Sequence, residues 1–156
     1  DYTDLSVGCL LAPAADPGDA EALANKEQFF TLLGAHLQKV RNKRRSYIIA
    51  GNWQIAPAEA DVQEFSTHDD TPGCLPGERA WMETLFSEGY ADAFREVSGD
   101  GDAFTYWPET RGENGWRTSL QVISAGLANR VEHAAIYTGE QFSRHAPVIV
   151  DYDIDI

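Results

Sequence analysis

The chain has 156 residues, enough for one domain with a buried core, and its 43% hydrophobic and 11% aromatic content excludes a disordered polymer. The 25 acidic against 12 basic residues set a net charge of −13, which repels phosphate backbones, disfavours nonspecific nucleic-acid binding, and suits either a basic protein surface or plain solubility. No apolar run approaches the roughly 20 residues of a membrane span, no signal-peptide pattern opens the chain, and the two cysteines, Cys9 and Cys74, form neither a disulfide framework nor a zinc ligand set, so the reading is a cytoplasmic protein without redox chemistry.

The first predicted element is a strand over Leu5-Ser6-Val7-Gly8-Cys9-Leu10-Leu11, closed by Pro13. A turn at Asp16-Pro17-Gly18-Asp19 leads into a helix expected from about Ala20 to Arg45. Its core stripe is Phe30, Leu33, Leu37 and Val40, and Asn25 with Gln28 offers a capping box if the helix starts late. The helix end carries Lys39, Arg41, Lys43, Arg44 and Arg45, which either complement the helix dipole or form a basic patch on an acidic molecule. Tyr47-Ile48-Ile49-Ala50-Gly51 reads as a strand covered on both faces, and 52–77 as loop. Helices are expected over Glu78 to Ser87, with Trp81 and Leu85 buried, and around Ala91, Phe94 and Val97. The last third reads as strands: Phe104 to Trp107, Ser119 to Ile123, Val131 to Tyr137 and Val148 to Tyr152. This order describes a layered α/β (α+β) fold, with 1–156 as a single domain.

Gly51-Asn52-Trp53-Gln54-Ile55-Ala56, Pro76-Gly77-Glu78-Arg79-Ala80-Trp81, Gly115-Trp116-Arg117 and Phe142-Ser143-Arg144-His145-Ala146-Pro147 occur in an order that resembles the exonuclease III family. The resemblance covers nearly the whole chain and corresponds to the C-terminal portion of the fold. It implies part of a four-layered α/β/β/α sandwich of the endonuclease/exonuclease/phosphatase type. The family's first half, with its main metal-binding glutamate, has no counterpart here. The expectation is a fragment of a longer protein, with a homodimer covering the bare face as second choice.

The departures from the family pattern carry the functional expectation. Active members carry Gly-Asp-x-Asn where this chain has Gly51-Asn52-Trp53-Gln54, and Trp-Arg-x-Asp where it has Trp116-Arg117-Thr118-Ser119. They carry Ser-Asp-His-Ala-Pro where it has Ser143-Arg144-His145-Ala146-Pro147, and a tyrosine where it has Leu11. Only His145 is retained. Metal-dependent phosphodiester hydrolysis needs carboxylates to hold a hard cation and activate water, which Asn52, Gln54 and Ser119 do not supply. Arg144 is expected to oppose both metal binding and protonation of His145. The implied protein is not an enzyme and has no cofactor, magnesium belonging only to the alternative of a nuclease with an altered site.

Among non-catalytic relatives, Lys43-Arg44-Arg45-Ser46-Tyr47, Tyr90-Ala91-Asp92-Ala93, Arg95-Glu96-Val97-Ser98 and His145 through Asp153 resemble the bacterial catabolite repression control family. That resemblance implies a translational repressor acting with the RNA chaperone Hfq and its A-rich RNA. The candidate binding residues are Lys39, Arg41, Lys43, Arg44 and Arg45, then Trp107, Trp116 and Arg117 around the loop 108–115. The trio His68, Asp69 and Asp70 is expected to be a solvated loop.

Overall fold

The computed structural model describes residues 2–41 and 43–155. Strand β1 (Leu5–Leu11) leads to helix α1 (Ala20–Val40) and back to β2 (Ser46–Asn52), the parallel neighbour of β1. Parallel neighbours need a long crossover, which α1 supplies. Helix α2 (Pro76–Ser87), the short strand β3 (Tyr90–Asp92) and helix α3 (Ala93–Ser98) follow. Then come β4 (Ser119–Ser124), β5 (Val131–Ile136) and β6 (Val148–Tyr152). The main sheet runs β1-β2-β4-β3, with β4 antiparallel to both β2 and β3, while β5 and β6 form a second, two-stranded sheet. This is the mixed α/β architecture expected, with α1 and α2 on one face of the main sheet and the second sheet, against which α3 packs, on the other.

Side-chain alternation sorts the main sheet into two faces. Leu10, Tyr47, Ile49, Leu120, Val122 and Tyr90 pack against Phe30, Leu37 and Val40 of α1 and Met82 and Leu85 of α2, around a fully buried Trp53. On the opposite face Leu5, Ile48 and Ile123 meet Leu127, Val131, Val150 and Tyr152. The second sheet covers only part of that face, and Val7 and Leu11 of edge strand β1 are 53% and 76% exposed. Gly51 is required where it stands, because a Cβ there would collide with the Leu10 carbonyl oxygen of the adjoining strand.

Several boundaries differ from expectation, each for a local reason. Helix α1 starts at Ala20 because Asp19 caps it, accepting a 2.9 Å hydrogen bond from Ala22 N, so Asn25 is interior and caps nothing. It stops at Val40 rather than Arg45, since Ser46 N already donates to Asp4 O and starts the β1–β2 ladder. Tyr90 to Asp92 pairs as a strand with β4, and Asp92 then caps a helix that begins only at Ala93. The stretch Phe104 to Trp107 is no strand: Tyr106 makes isolated bridges to Trp116 and His145. Among the described residues no helix is long and apolar enough to cross a membrane.

Candidate functional site

The strand register gathers residues far apart in sequence. Leu11 pairs with Asn52 across β1–β2, and Asn52 pairs with Ser119 across β2–β4, so the three form one row on the face shared with β6. His145, just before β6, completes the group, its Nδ1 lying 3.3 Å from Ser119 Oγ. Ser143 Oγ accepts from His145 N at 3.0 Å and holds that turn. All four line a cavity of about 420 Å³, and Asn52 and His145 also line a neighbouring cavity of about 470 Å³ that contains Gln54.

The Gln54 turn is built with care. Asn52 Oδ1 accepts from Gln54 N at 2.9 Å, and Trp53 N donates to Thr118 O at 2.8 Å. Gln54 adopts φ +55, a left-handed conformation that costs a non-glycine residue about 1 kcal/mol and needs outside support. Lys26, 2% exposed on α1, supplies it by donating to Gln54 O at 2.7 Å and pairing with Glu78. Glu78 Oε2 in turn accepts from Gly73 N at 2.6 Å and Leu75 N at 3.0 Å, holding the facing loop. On the other side, buried Thr105 Oγ1 accepts from Thr118 N and Ser119 N at 3.1 and 3.0 Å.

Burial pushes the His145 imidazole below its ordinary pKa of 6.5, so the ring is neutral at pH 7. Burial is the cause, not the Arg144 guanidinium: Arg144 is exposed and lines neither cavity. The expectation that Arg144 acts inside the site is therefore corrected. Ser119 still touches His145 as an orienting partner would, but without charge.

No family model matches the chain. Curated relatives include exodeoxyribonuclease III of Haemophilus influenzae, 28% identical over 142 residues, 81% of this chain and 53% of the relative. An exodeoxyribonuclease of Streptococcus pneumoniae is 24% identical over 119 residues, 72% and 43% of the two chains. DNA repair nuclease APEX1 of Danio rerio is 28% identical over 110 residues, 67% and 36%. The chain thus spans about half the length of the curated relatives it matches. Among solved structures, the 3′ phosphatase NExo from Neisseria bound to a product DNA hairpin superposes with a TM-score of 0.87 at 24% identity, over 97% of this chain and 62% of that one. An AP endonuclease from Archaeoglobus fulgidus gives 0.85 at 21% identity, over 96% and 62%. These matches show similarity in sequence to exodeoxyribonucleases and a DNA repair nuclease, and similarity in fold to a 3′ phosphatase and an AP endonuclease.

For a chain similar to nucleases, the donor set here is unusual. Amides (Asn52, Gln54), a hydroxyl (Ser119) and two imidazoles (His68, His145) line the cavities with a single exposed carboxylate, Asp16, whereas a hard dication such as magnesium prefers several carboxylate oxygens. Among the described residues no group of three or more His, Cys, Asp or Glu is placed to hold a metal ion. The residues present do not fit the ion that the resemblance implies.

Of the candidate binding residues Trp116 is brought to this site, and the basic cluster, Trp107 and Arg117 are not. The basic cluster lies at the opposite end of β2, about 20 Å away for a seven-residue strand. Two of its members serve the fold: Arg41 donates to Glu88 O, and Arg45 to Thr3 O and Ser6 Oγ at 3.1 and 3.0 Å. Lys39, Lys43 and Arg44 are exposed. Arg117 is 1% exposed and bound to Asp61 (2.6 and 3.0 Å) and Asp92 (2.6 Å), so it is a core ion pair and not a contact residue. Burial alone would lower its pKa, but Asp92 and Asp61 outweigh that and hold it above its ordinary value. Trp107 is buried beneath Arg111, whereas Trp116 does line the 470 Å³ cavity.

Sequence reasoning missed Tyr106 and Thr118, which also line that cavity with Asn114 of the singled-out loop 108–115, and misjudged His68, whose ring packs 5.3 Å from Trp116. Tyr106 sits 4.7 Å from the His145 ring. The one available signal was the aromatic Tyr106 beside Trp107, ahead of a proline.

Proposed function

We propose that this chain is a non-catalytic exonuclease III-like regulator, acting in translational repression by binding the RNA chaperone Hfq together with RNA. One observation carries the first half: the row Leu11, Asn52 and Ser119, with Gln54 and His145, lines two cavities that share Asn52 and His145, and there is no carboxylate among those five residues. Hydrolysis of a phosphodiester by a metal-held water has no support from such donors. The second half is supported by the residues that resemble the catabolite repression control family, notably His145-Ala146-Pro147-Val148-Ile149-Val150-Asp151-Tyr152-Asp153. The net charge of −13 is compatible with docking on a basic, RNA-loaded partner.

Size-exclusion chromatography of the chain with Hfq and an A-rich RNA tests this. The expected result is a ternary complex that requires the RNA. Magnesium- or manganese-dependent cleavage of nucleic acid that disappears in His145→Ala would overturn it in favour of an exodeoxyribonuclease III or AP endonuclease-like phosphodiesterase, the reading to which the nuclease relatives lend weight.

A further inference from the structure

The 470 Å³ cavity has a chemistry of its own. Among the described residues that line it, the exposed Asp16 is the one carboxylate, and neither Lys nor Arg contributes. An anion entering it therefore meets no cation and one opposing charge. Two aromatic pairs line it, His68 with Trp116 and Tyr106 with His145, with ring centroids 5.3 and 4.7 Å apart. Between them stand unspent amide groups: Asn52 Oδ1 is engaged by Gln54 N, but the Asn52 Nδ2 and the whole Gln54 side-chain amide have no hydrogen-bond partner among the described residues.

Flat aromatic surface, donor and acceptor amides and no cation suit a flat, uncharged heteroaromatic ring with hydrogen-bonding edges. Primary amides present a paired donor and acceptor that match the edge of a base, and aromatic side chains stack on its face. We infer that this cavity receives an unpaired nucleobase, with Asn52 and Gln54 reading its edge, half-buried Tyr106 supplying stacking surface, the buried Trp116 forming an apolar wall, and the phosphates remaining outside. The choice of a base over another heteroaromatic ring rests on the nucleic-acid partner of the proposed function. The turn geometry fits the role, since Lys26 and Glu78 hold Gln54 and Gly73 from behind, so the amide is positioned before a ligand arrives.

The test is a titration of the chain with adenosine and uridine, in parallel with their deoxy forms, in chelator, followed by side-chain amide and indole NMR signals. Saturable shifts at Asn52, Gln54 and Trp116 are expected, with ribose 5-phosphate, which has no ring system to stack, producing none. Tyr106→Leu and Gln54→Asn, the latter chosen because asparagine tolerates the left-handed turn, each weaken binding about tenfold while thermal unfolding stays cooperative. Stronger binding of the ribosides points to RNA as the source, and equal binding to any single strand. Absence of shifts at millimolar nucleoside, or equal shifts with ribose 5-phosphate, overturns the assignment. The regulator reading is judged separately: a chain that assembles with Hfq and RNA but ignores nucleosides sinks only the base pocket, and the reverse result sinks only the regulator.

Discussion

Lys26 Nζ, buried on α1, donates a 2.7 Å hydrogen bond to the backbone carbonyl of Gln54, 28 residues away in a left-handed turn. A core cation thereby fixes a residue of the site whose backbone is strained. The same ammonium pairs with Glu78, whose carboxylate ties down Gly73 and Leu75. Removing the cation alone leaves Glu78 buried and unpaired. Lys26→Met is expected to cost roughly 3 kcal/mol in urea unfolding. Pairing it with Glu78→Leu should recover part of the pair-breaking cost, though not the support of Gln54. A double mutant as unstable as the sum of the singles would refute the coupling.

Arg117 makes the same point in the core. Its guanidinium pairs with both Asp61 and Asp92, nearly inaccessible carboxylates, while Arg95 supplies a second cation to Asp61. Arg117→Met should lower stability by about 3–5 kcal/mol because two carboxylates lose their shared partner. Circular dichroism melting checks this. A variant that melts like the parent but loses affinity for a partner would return Arg117 to the binding surface.

The depressed pKa of His145 makes stability depend on pH. Its folded form binds a proton less readily than the unfolded chain, whose imidazole titrates near 6.5. The contribution is complete above that value. It is lost as pH falls below 6.5, because the unfolded state takes up the proton first. His145→Gln should show a flatter profile between pH 7 and 5, and an NMR titration of the parent should place the His145 midpoint below 6.5. A His145 midpoint above 6.5 would mean that some unrecognised anion reaches it.

The missing carboxylates can be put back. Asn52→Asp with Ser119→Asp would place two acidic side chains on neighbouring strands beside His145, since Asn52 and Ser119 are register partners. Calorimetry with manganese should then show binding that the parent lacks, and the His145 midpoint should move up beside the new anions. If the parent binds manganese as tightly as the double variant, the donor-set argument is wrong.

The sequence by itself determined where the apolar periodicities fall, hence β1, α1, β2, α2 and β4 to within a few residues. It also determined which residue types are available at the positions of Asn52, Gln54, Ser119 and His145, because motif spacing and side-chain chemistry are local properties. It misplaced the end of α1 and the state of Phe104 to Trp107, where helix and strand tendencies yield to partners distant in the chain: Asp4 for Ser46, and Trp116 with His145 for Tyr106. Only the tertiary structure decided that Arg117 is sequestered, that Arg144 faces solvent, and that His68 and Tyr106 line the pocket. Burial and pairing of charges depend on which surfaces meet, and no spacing along the chain encodes that meeting.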